Sequence, residues 1–261
     1  MKKTVRYSIS CLLIAAFCIG MGVLAHLEKE DRNTRTCERL EVEFSDSLKF
    51  VTEKDIRKYV DSRYGAYIGQ RLDSVRLTEI EQMLQSRSAI MDCEAWTTDD
   101  GVLHVRVGQR APVLRFDCGD GGFYVDAEGY IFPLHPSYTA DVPVVSGGVP
   151  FKLKKNYKGE APEERDRTWL KHIIELSRYI NSSKIWRSRI SGIRCSSDEN
   201  VILLSSSGSE KFYLGYPENI AEKLGKVETY FIKILPLKGE NHYKSVNVTY
   251  NNQIICSQKD I

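Results

Sequence analysis

Three groupings in this chain have the residue types that chemistry requires. Asp117-Cys118-Gly119-Asp120-Gly121-Gly122, with Asp126 close behind, offers carboxylate oxygens on a pliant turn, the donor chemistry of a calcium site. The ligand spacing of a calcium loop and its closing glutamate are missing, so a glycine-rich turn between strands is the preferred reading. Asp99-Asp100 pairs two carboxylates, but Asp100-Gly101 is a hairpin turn signal rather than a metal dyad. His26, His104, His135, His172 and His242 include no pair at i+4, and no HExxH helix exists. His104 falls on the outward phase of a strand and reads as a surface residue. There is no GxSxG elbow, no lysine three positions after a serine and no GxxxxGK loop. The chain is therefore expected to bind rather than to catalyse, with no catalytic residue, metal or cofactor and no small-molecule substrate.

Cysteines narrow this further. Cys11 and Cys18 sit in an apolar run and read as filler, whereas Cys37, Cys93, Cys118, Cys195 and Cys256 are scattered and odd in number. Neither the tight even spacing of a disulfide framework nor the CxxC pairs of a zinc site is present. Buried thiols are the preferred reading, with one bridge left open.

The elements that must carry any binding surface begin with an apolar run. Ile9 to Leu27 contains no Asp, Glu, Lys or Arg, and Lys2, Lys3 and Arg6 precede it. About 20 apolar helical residues span a bilayer core of about 30 Å. Ile9, Leu12, Leu13, Ile14, Phe17, Ile19, Val23 and Leu24 would be the lipid-facing body of a membrane anchor. The basic flank keeps the N-terminus cytoplasmic and sends the remainder across. A cleaved secretory signal is the competitor, since Val23-Leu24-Ala25 carries the small residue a cut needs, but the run is long for one. A lipoprotein signal ending at Cys18 is disfavoured by bulky Phe17. Of 37 Lys and Arg, three precede the run, leaving 34 against 35 Asp and Glu. Such a balance gives no long-range pull on nucleic acid or anionic lipid, and both are set aside as partners.

After a charged tether, Leu40, Val42 and Phe44 alternate with Glu41 and Glu43, predicting a half-buried strand. Thr52 and Asp55 form a capping-box pattern at a helix start, and Ile56 and Val60 continue its stripe. Leu77, Ile80, Met83 and Leu84 share the face of a second helix. Ile90 to Thr97 and Leu103 to Val107 are the arms of a hairpin about Asp100-Gly101. Strand, helix, helix, strand, strand makes a compact α+β unit, two helices covering a three-stranded sheet.

Beyond Arg110 the expectation is a β-rich domain with two helices on a mainly antiparallel sheet. Phe123 to Asp126 and Tyr130 to Phe132 form a hairpin. Val142 to Val145, broken by Pro143, suits an edge position. Phe151 to Glu164 reads as a polar surface loop. Helices are expected over Glu164–Ile180 and Pro217–Ile234, with Trp169, Ile173, Leu176 and Ile180 on the inner stripe of the first. Strands are expected at Ile190–Cys195, Val201–Ser205 and Lys211–Leu214. A final strand runs through Val246, Val248 and Tyr250, followed by Ile254 to Cys256 around an Asn251-Asn252 turn.

This layout resembles the bacterial FtsQ/DivIB cell-division family over essentially the whole chain. Leu103-His104-Val105-Arg106-Val107 into Gln109-Arg110-Ala111-Pro112 is similar to the family's strand ending in Glu-Arg-x-Pro, with Gln109 in place of the Glu. Tyr124-Val125-Asp126 with Gly129 and Phe132 resembles its Tyr-Ile-Asp hairpin. Val142-Pro143-Val144-Val145-Ser146-Gly147 resembles its Leu-Pro-x-x-x-Gly element. Leu214-Gly215 ahead of Glu222-Lys223-Leu224, and Val246 to Tyr250, resemble its later strand ends, although Asn247 and Thr249 replace a charged pair.

The resemblance implies a cytoplasmic tail (1–8), a transmembrane helix (9–27), a linker (28–36), a POTRA-like domain (37–108), a β domain (109–257) and a short tail (258–261). It implies a non-enzymatic scaffold at the division septum, held by a single inner-membrane span with most of the chain periplasmic. Its partners would be FtsB/DivIC-like and FtsL-like small coiled-coil proteins and, through them, the septal peptidoglycan synthase. A last strand at a sheet edge would take a partner strand, with Tyr250 as the contacting aromatic and Asn251, Asn252, Gln253, Ile254 and Ile255 beside it. Leu40–Phe44 and Ile90–Ala95 are further edge candidates. A POTRA-bearing export adaptor and a signal-anchored envelope enzyme are the alternatives.

Overall fold

The computed structural model describes residues 14, 17–22, 35–119, 121–206, 210–240 and 242–258. The described residues fall into two compact units that divide between Gln109 and Arg110. Of the expected anchor residues, Ile14, Phe17 and Ile19 are helical and exposed, while Ile9, Leu12, Leu13, Val23 and Leu24 lie outside the described residues. No helix among the described residues is long and apolar enough to cross a membrane.

In the first unit, strand β1 (Arg39–Phe44) leads to helices α1 (Glu53–Arg63) and α2 (Leu77–Gln85), then to β2 (Ile90–Thr98) and β3 (Val102–Gln109). The sheet order is β1-β3-β2, with β1 parallel and β2 antiparallel to the central β3. Helix α1 starts where its capping box closes: Thr52 N–H donates to Asp55 Oδ2 (3.0 Å) while Asp55 N–H donates to Thr52 Oγ1 (3.3 Å). Ile56, Val60, Ile80 and Leu84 are fully buried, as are Leu103, Val105 and Val107 of β3. The period of two along β3 therefore faces the helices with one set and leaves His104 and Arg106 on the open face.

On that face Arg106 bridges Glu43 (3.4 Å) and Glu94 (3.3 Å) across all three strands and lies over the Trp96 ring. His104 departs from the expected surface role. Its ring is stacked on Trp96 at 5.0 Å and its Nε2 meets Thr98 Oγ1 at 3.0 Å, so its side chain is only 15% exposed. A strand phase tells which face a side chain is on, and a large cross-strand neighbour then decides whether water reaches it.

Gln109, which stands where the resembling pattern has glutamate, is fully engaged through its amide. Its Nε2 donates to Asp46 Oδ1 (2.9 Å) and to the Leu48 carbonyl (2.7 Å), while its Oε1 accepts from Val51 N–H (2.8 Å). A carboxylate has no donor to offer Asp46 and would face it with like charge. The amide is what this buried junction needs.

The second unit is a nine-stranded sheet in the order β12-β11-β10-β9-β8-β7-β4-β5-β6. Its strands are β4 (Pro112–Asp117), β5 (Gly122–Asp126), β6 (Ile131–Pro133), β7 (Val144–Gly147), β8 (Ile190–Cys195), β9 (Val201–Ser205), β10 (Lys211–Gly215), β11 (Tyr243–Asn247) and β12 (Ile255–Gln258). Helices α3 (Glu164–Ser182) and α4 (Lys184–Arg189) connect β7 to β8; α5 (Ile220–Thr229) and the short α6 (Leu235–Lys238) connect β10 to β11. Helical crossovers return the chain in the same direction, which is why β7–β8 and β10–β11 are parallel. With β4–β7 also parallel, the sheet is mixed, and the other five pairings are antiparallel.

Two expectations need correcting. Strand β7 is central, paired to β4 and β8, and Pro143 stands just before it. There proline's missing donor costs nothing, and its carbonyl accepts from Arg115 N–H (3.0 Å). Gly147 ends the strand at φ +96°, where a Cβ would lie 2.2 Å from the Cys195 carbonyl oxygen, so only glycine fits the close of this element. The stretch from Phe151 is not simply a surface loop either: Phe151 and Ala161 are buried in the core, and Leu153 and Tyr157 pack against it. Lysine-rich composition hid an inward set of apolar residues.

The core under the helices is led by Trp169, Ile173, Leu176, Leu203, Phe212, Leu224 and Val246, all fully buried. After α5 the helix widens into a π turn over Tyr230–Ile234, and both Tyr230 and Phe231 are buried there. Burial also governs the thiols. It pushes Cys93 and Cys195 up to about 12 and raises Cys37 and Cys256. Only a thiolate alkylates. With iodoacetamide near pH 8, Cys93 and Cys195 should therefore stay unmodified in the folded chain and react after guanidinium unfolding, as read by mass spectrometry of tryptic peptides.

Candidate functional site: the β12 edge

The sequence-derived site residues come together at one end of the large sheet. Strand β10 ends at Gly215, held at φ +66°, where a Cβ would meet Thr249 Cγ2 at 3.0 Å. The parallel β11 then runs beside β10 with Phe212 opposite Val246 and Tyr213 opposite Asn247. Val248 extends this line, its N–H donating to the Tyr213 carbonyl (3.1 Å), and is fully buried.

The expected strand through Tyr250 stops earlier than the alternation suggests. Asn247 Oδ1 accepts from Thr249 N–H (2.9 Å), and Lys226 of α5 donates to the carbonyls of Val248 (3.3 Å) and Tyr250 (2.8 Å). Lys226 is itself paired with Glu222 at 3.0 Å. Side-chain bonds to main chain compete with the ladder and bend the chain away from it. Tyr250, Asn251, Asn252 and Gln253 thus form an exposed turn, with Asn252 at φ +54°. Ile254 is half-buried, and Ile255 opens β12.

Strand β12 pairs antiparallel with β11 on one side, and among the described residues no strand pairs with its other side. Register places Tyr213, Asn247 and Ile255 in one row across β10, β11 and β12. Phe212 and Leu214 point into the core, so this row lies on the face away from it. Tyr213, Tyr250 and Ile255 are 37%, 54% and 45% exposed, a group of apolar side chains bordering free main-chain donors and acceptors. Tyr213 was absent from the sequence-derived set. The alternation of Lys211-Phe212-Tyr213-Leu214 was the signal that could have found it.

The other candidates settle into structural roles. Cys118 N–H donates to the Gly121 carbonyl and Gly119 N–H to Asp117 Oδ1, while Asp120 is outside the described residues. Asp126 is buried and occupied by Arg110, by Glu128 N–H (3.1 Å) and by Tyr130 N–H (2.8 Å). Asp100 accepts from Thr98 Oγ1 and pairs with Arg39, closing the β2–β3 turn. No group of residues suited to hold a metal occurs among the described residues. At the opposite end of the sheet, Ile131 exchanges both main-chain bonds with Gly159 (2.8 and 3.0 Å), and Pro133 has no N–H. In the first unit β1 and β2 are both outer strands, so Leu40–Phe44 and Ile90–Ala95 do lie on edges.

The chain thus has a helix-covered three-stranded unit and a large mixed sheet whose terminal strand β12 has one side unpaired among the described residues. Residues 35–108 match the POTRA-like domain family, and residues 111–257 match the family described as FtsQ/DivIB, C-terminal related. The chain belongs to the FtsQ/DivIB family. These domains are of non-catalytic scaffold type and tie the chain to cell division. No curated protein matches this chain.

Proposed function

We propose that this chain is a division scaffold that accepts a strand from an FtsB/DivIC-like protein on the free side of β12, with an FtsL-like protein as the second partner. It is tethered in the inner membrane by the segment 9–27, presents its two units outside the cytoplasm at the septum, and acts on the septal peptidoglycan synthase only through these partners. It transforms no molecule. The observation that carries the reading is the edge of β12, unpaired among the described residues and flanked by exposed Tyr250 and Ile255, in a chain of this family. An added strand gains affinity from the ladder bonds and specificity from the neighbouring side chains. Lys226 acts as a positioning residue, since it holds the carbonyls on which the Tyr250 turn depends.

Depletion of the full-length protein in its own cells tests the role. Long, unseparated cells are expected, and tagged protein recovered from solubilised membranes should bring two small single-span coiled-coil proteins with it. Normal cell length after depletion would sink the assignment, and recovery of outer-membrane barrel proteins instead would turn it toward an export adaptor.

A further inference from the structure

A second feature of the large unit is independent of β12 and unused by that function. Between the β4–β5 turn, the end of β6 and the segment after Val149 lies a cleft of about 830 Å³. That size is within the ~300–1,000 Å³ range of ligand pockets. Phe123, Leu134 and Phe151 line it, and the two phenylalanine rings are 6.4 Å apart. Lys152, Lys154 and Lys155 also line it, all exposed. Among the described residues none of these three ammonium groups has a carboxylate partner. Such a cleft offers apolar rings to the body of a ligand and positive charge at its rim.

The surroundings select among occupants. A peptide strand cannot add at this end of the sheet, because Gly159 already takes both main-chain groups of Ile131 and Pro133 lacks a donor. Concave apolar walls reward a compact apolar body, whereas three ammoniums on one segment reward a single anionic head. We propose that the cleft binds an anionic amphiphile, an apolar chain bearing one phosphate or carboxylate. The lysines hold the head, and Phe123, Leu134 and Phe151 take the first part of the chain. Such a molecule can arrive free or from a bilayer, and the recognition chemistry is the same.

The full-length chain can be probed with an alkyl phosphate carrying a diazirine, followed by peptide mapping after irradiation. Cross-links are expected within 118–134 and 149–157. They should fall about tenfold in the triple variant Lys152→Glu, Lys154→Glu, Lys155→Glu, because three weak surface pairings become repulsions. Leu134→Trp, which fills the cleft without touching the charges, should lower them as well, with circular dichroism confirming that both variants fold. The same alkyl chain on a trimethylammonium head should leave these peptides unlabelled. Competition by monomeric dodecyl phosphate alone identifies a free ligand, whereas competition by phosphatidylglycerol vesicles identifies a bilayer one; either supports the proposal. Equal labelling by the cationic probe, or labelling undiminished by lysine reversal, would overturn it. So would labels lying only outside the two segments, or a cleft reached solely by an acidic phenylalanine-containing peptide probe.

Discussion

Replacing Tyr250 by Ala together with Ile255 by Glu is expected to weaken binding of an FtsB/DivIC-like partner by about a hundredfold or more. Truncating a central aromatic contact costs about 2 kcal/mol or more at an interface hot spot, and each 1.4 kcal/mol is about tenfold. The glutamate adds a charge that the incoming strand would have to desolvate beside its own carbonyls. Both side chains are exposed in the folded chain, so stability should change by no more than about 0.5 kcal/mol. Ile185→Glu provides the control, since Ile185 is 67% exposed and lies on α4 rather than on β10, β11 or β12. Calorimetry of the full-length chain with its partner reads the effect. An affinity equal to that of the control would remove β12 as the docking edge while leaving the family assignment intact.

The largest expected loss of stability lies at Trp169. Its side chain is fully buried, packed edge-on to Phe151 at 6.1 Å and tilted against Phe116 at 6.2 Å. Its Nε1–H donates to the Glu199 carbonyl (3.2 Å) in a turn where Glu199 stands at φ +69°. Trp169→Ala would empty the centre of the core and leave that carbonyl without its donor. Substitutions of this kind cost about 3–5 kcal/mol, against about 5–15 kcal/mol for the whole of a typical domain. Guanidinium unfolding followed by circular dichroism should show the midpoint of the larger unit falling sharply. A loss under about 1 kcal/mol would mean that the helices close over the gap and that Trp169 is not the keystone its burial suggests.

Much of this architecture could be read from periodicity because both units pair helices with one face of a sheet. The stripe of Trp169, Ile173, Leu176 and Ile180 and the alternation of Leu103, Val105 and Val107 each record a buried face directly. Where the reading failed, a local bond outweighed the pattern. Val246, Val248 and Tyr250 alternate like a strand, yet Asn247 and Lys226 capture main-chain groups after Val248 and turn the chain. Pro143 suggested an edge because its position one residue before the strand is invisible without the partner strands. The π turn over Tyr230–Ile234 is likewise a backbone detail that no apolar period announces. The β12 site was foreshadowed by resemblance rather than by spacing. Tyr213, which completes its row, belongs to a strand about forty residues upstream and could be placed beside it only by register.

The unequal ends of the large sheet set the valence of anything built on it. One end is already occupied by the chain's own Ile131–Gly159 exchange, and at the other no strand among the described residues covers β12. Propagation of a sheet from molecule to molecule needs two open ends on every copy. Among the described residues this unit has one, so strand joining through the large sheet alone stops after a single event, as a heterologous pair or as two copies face to face.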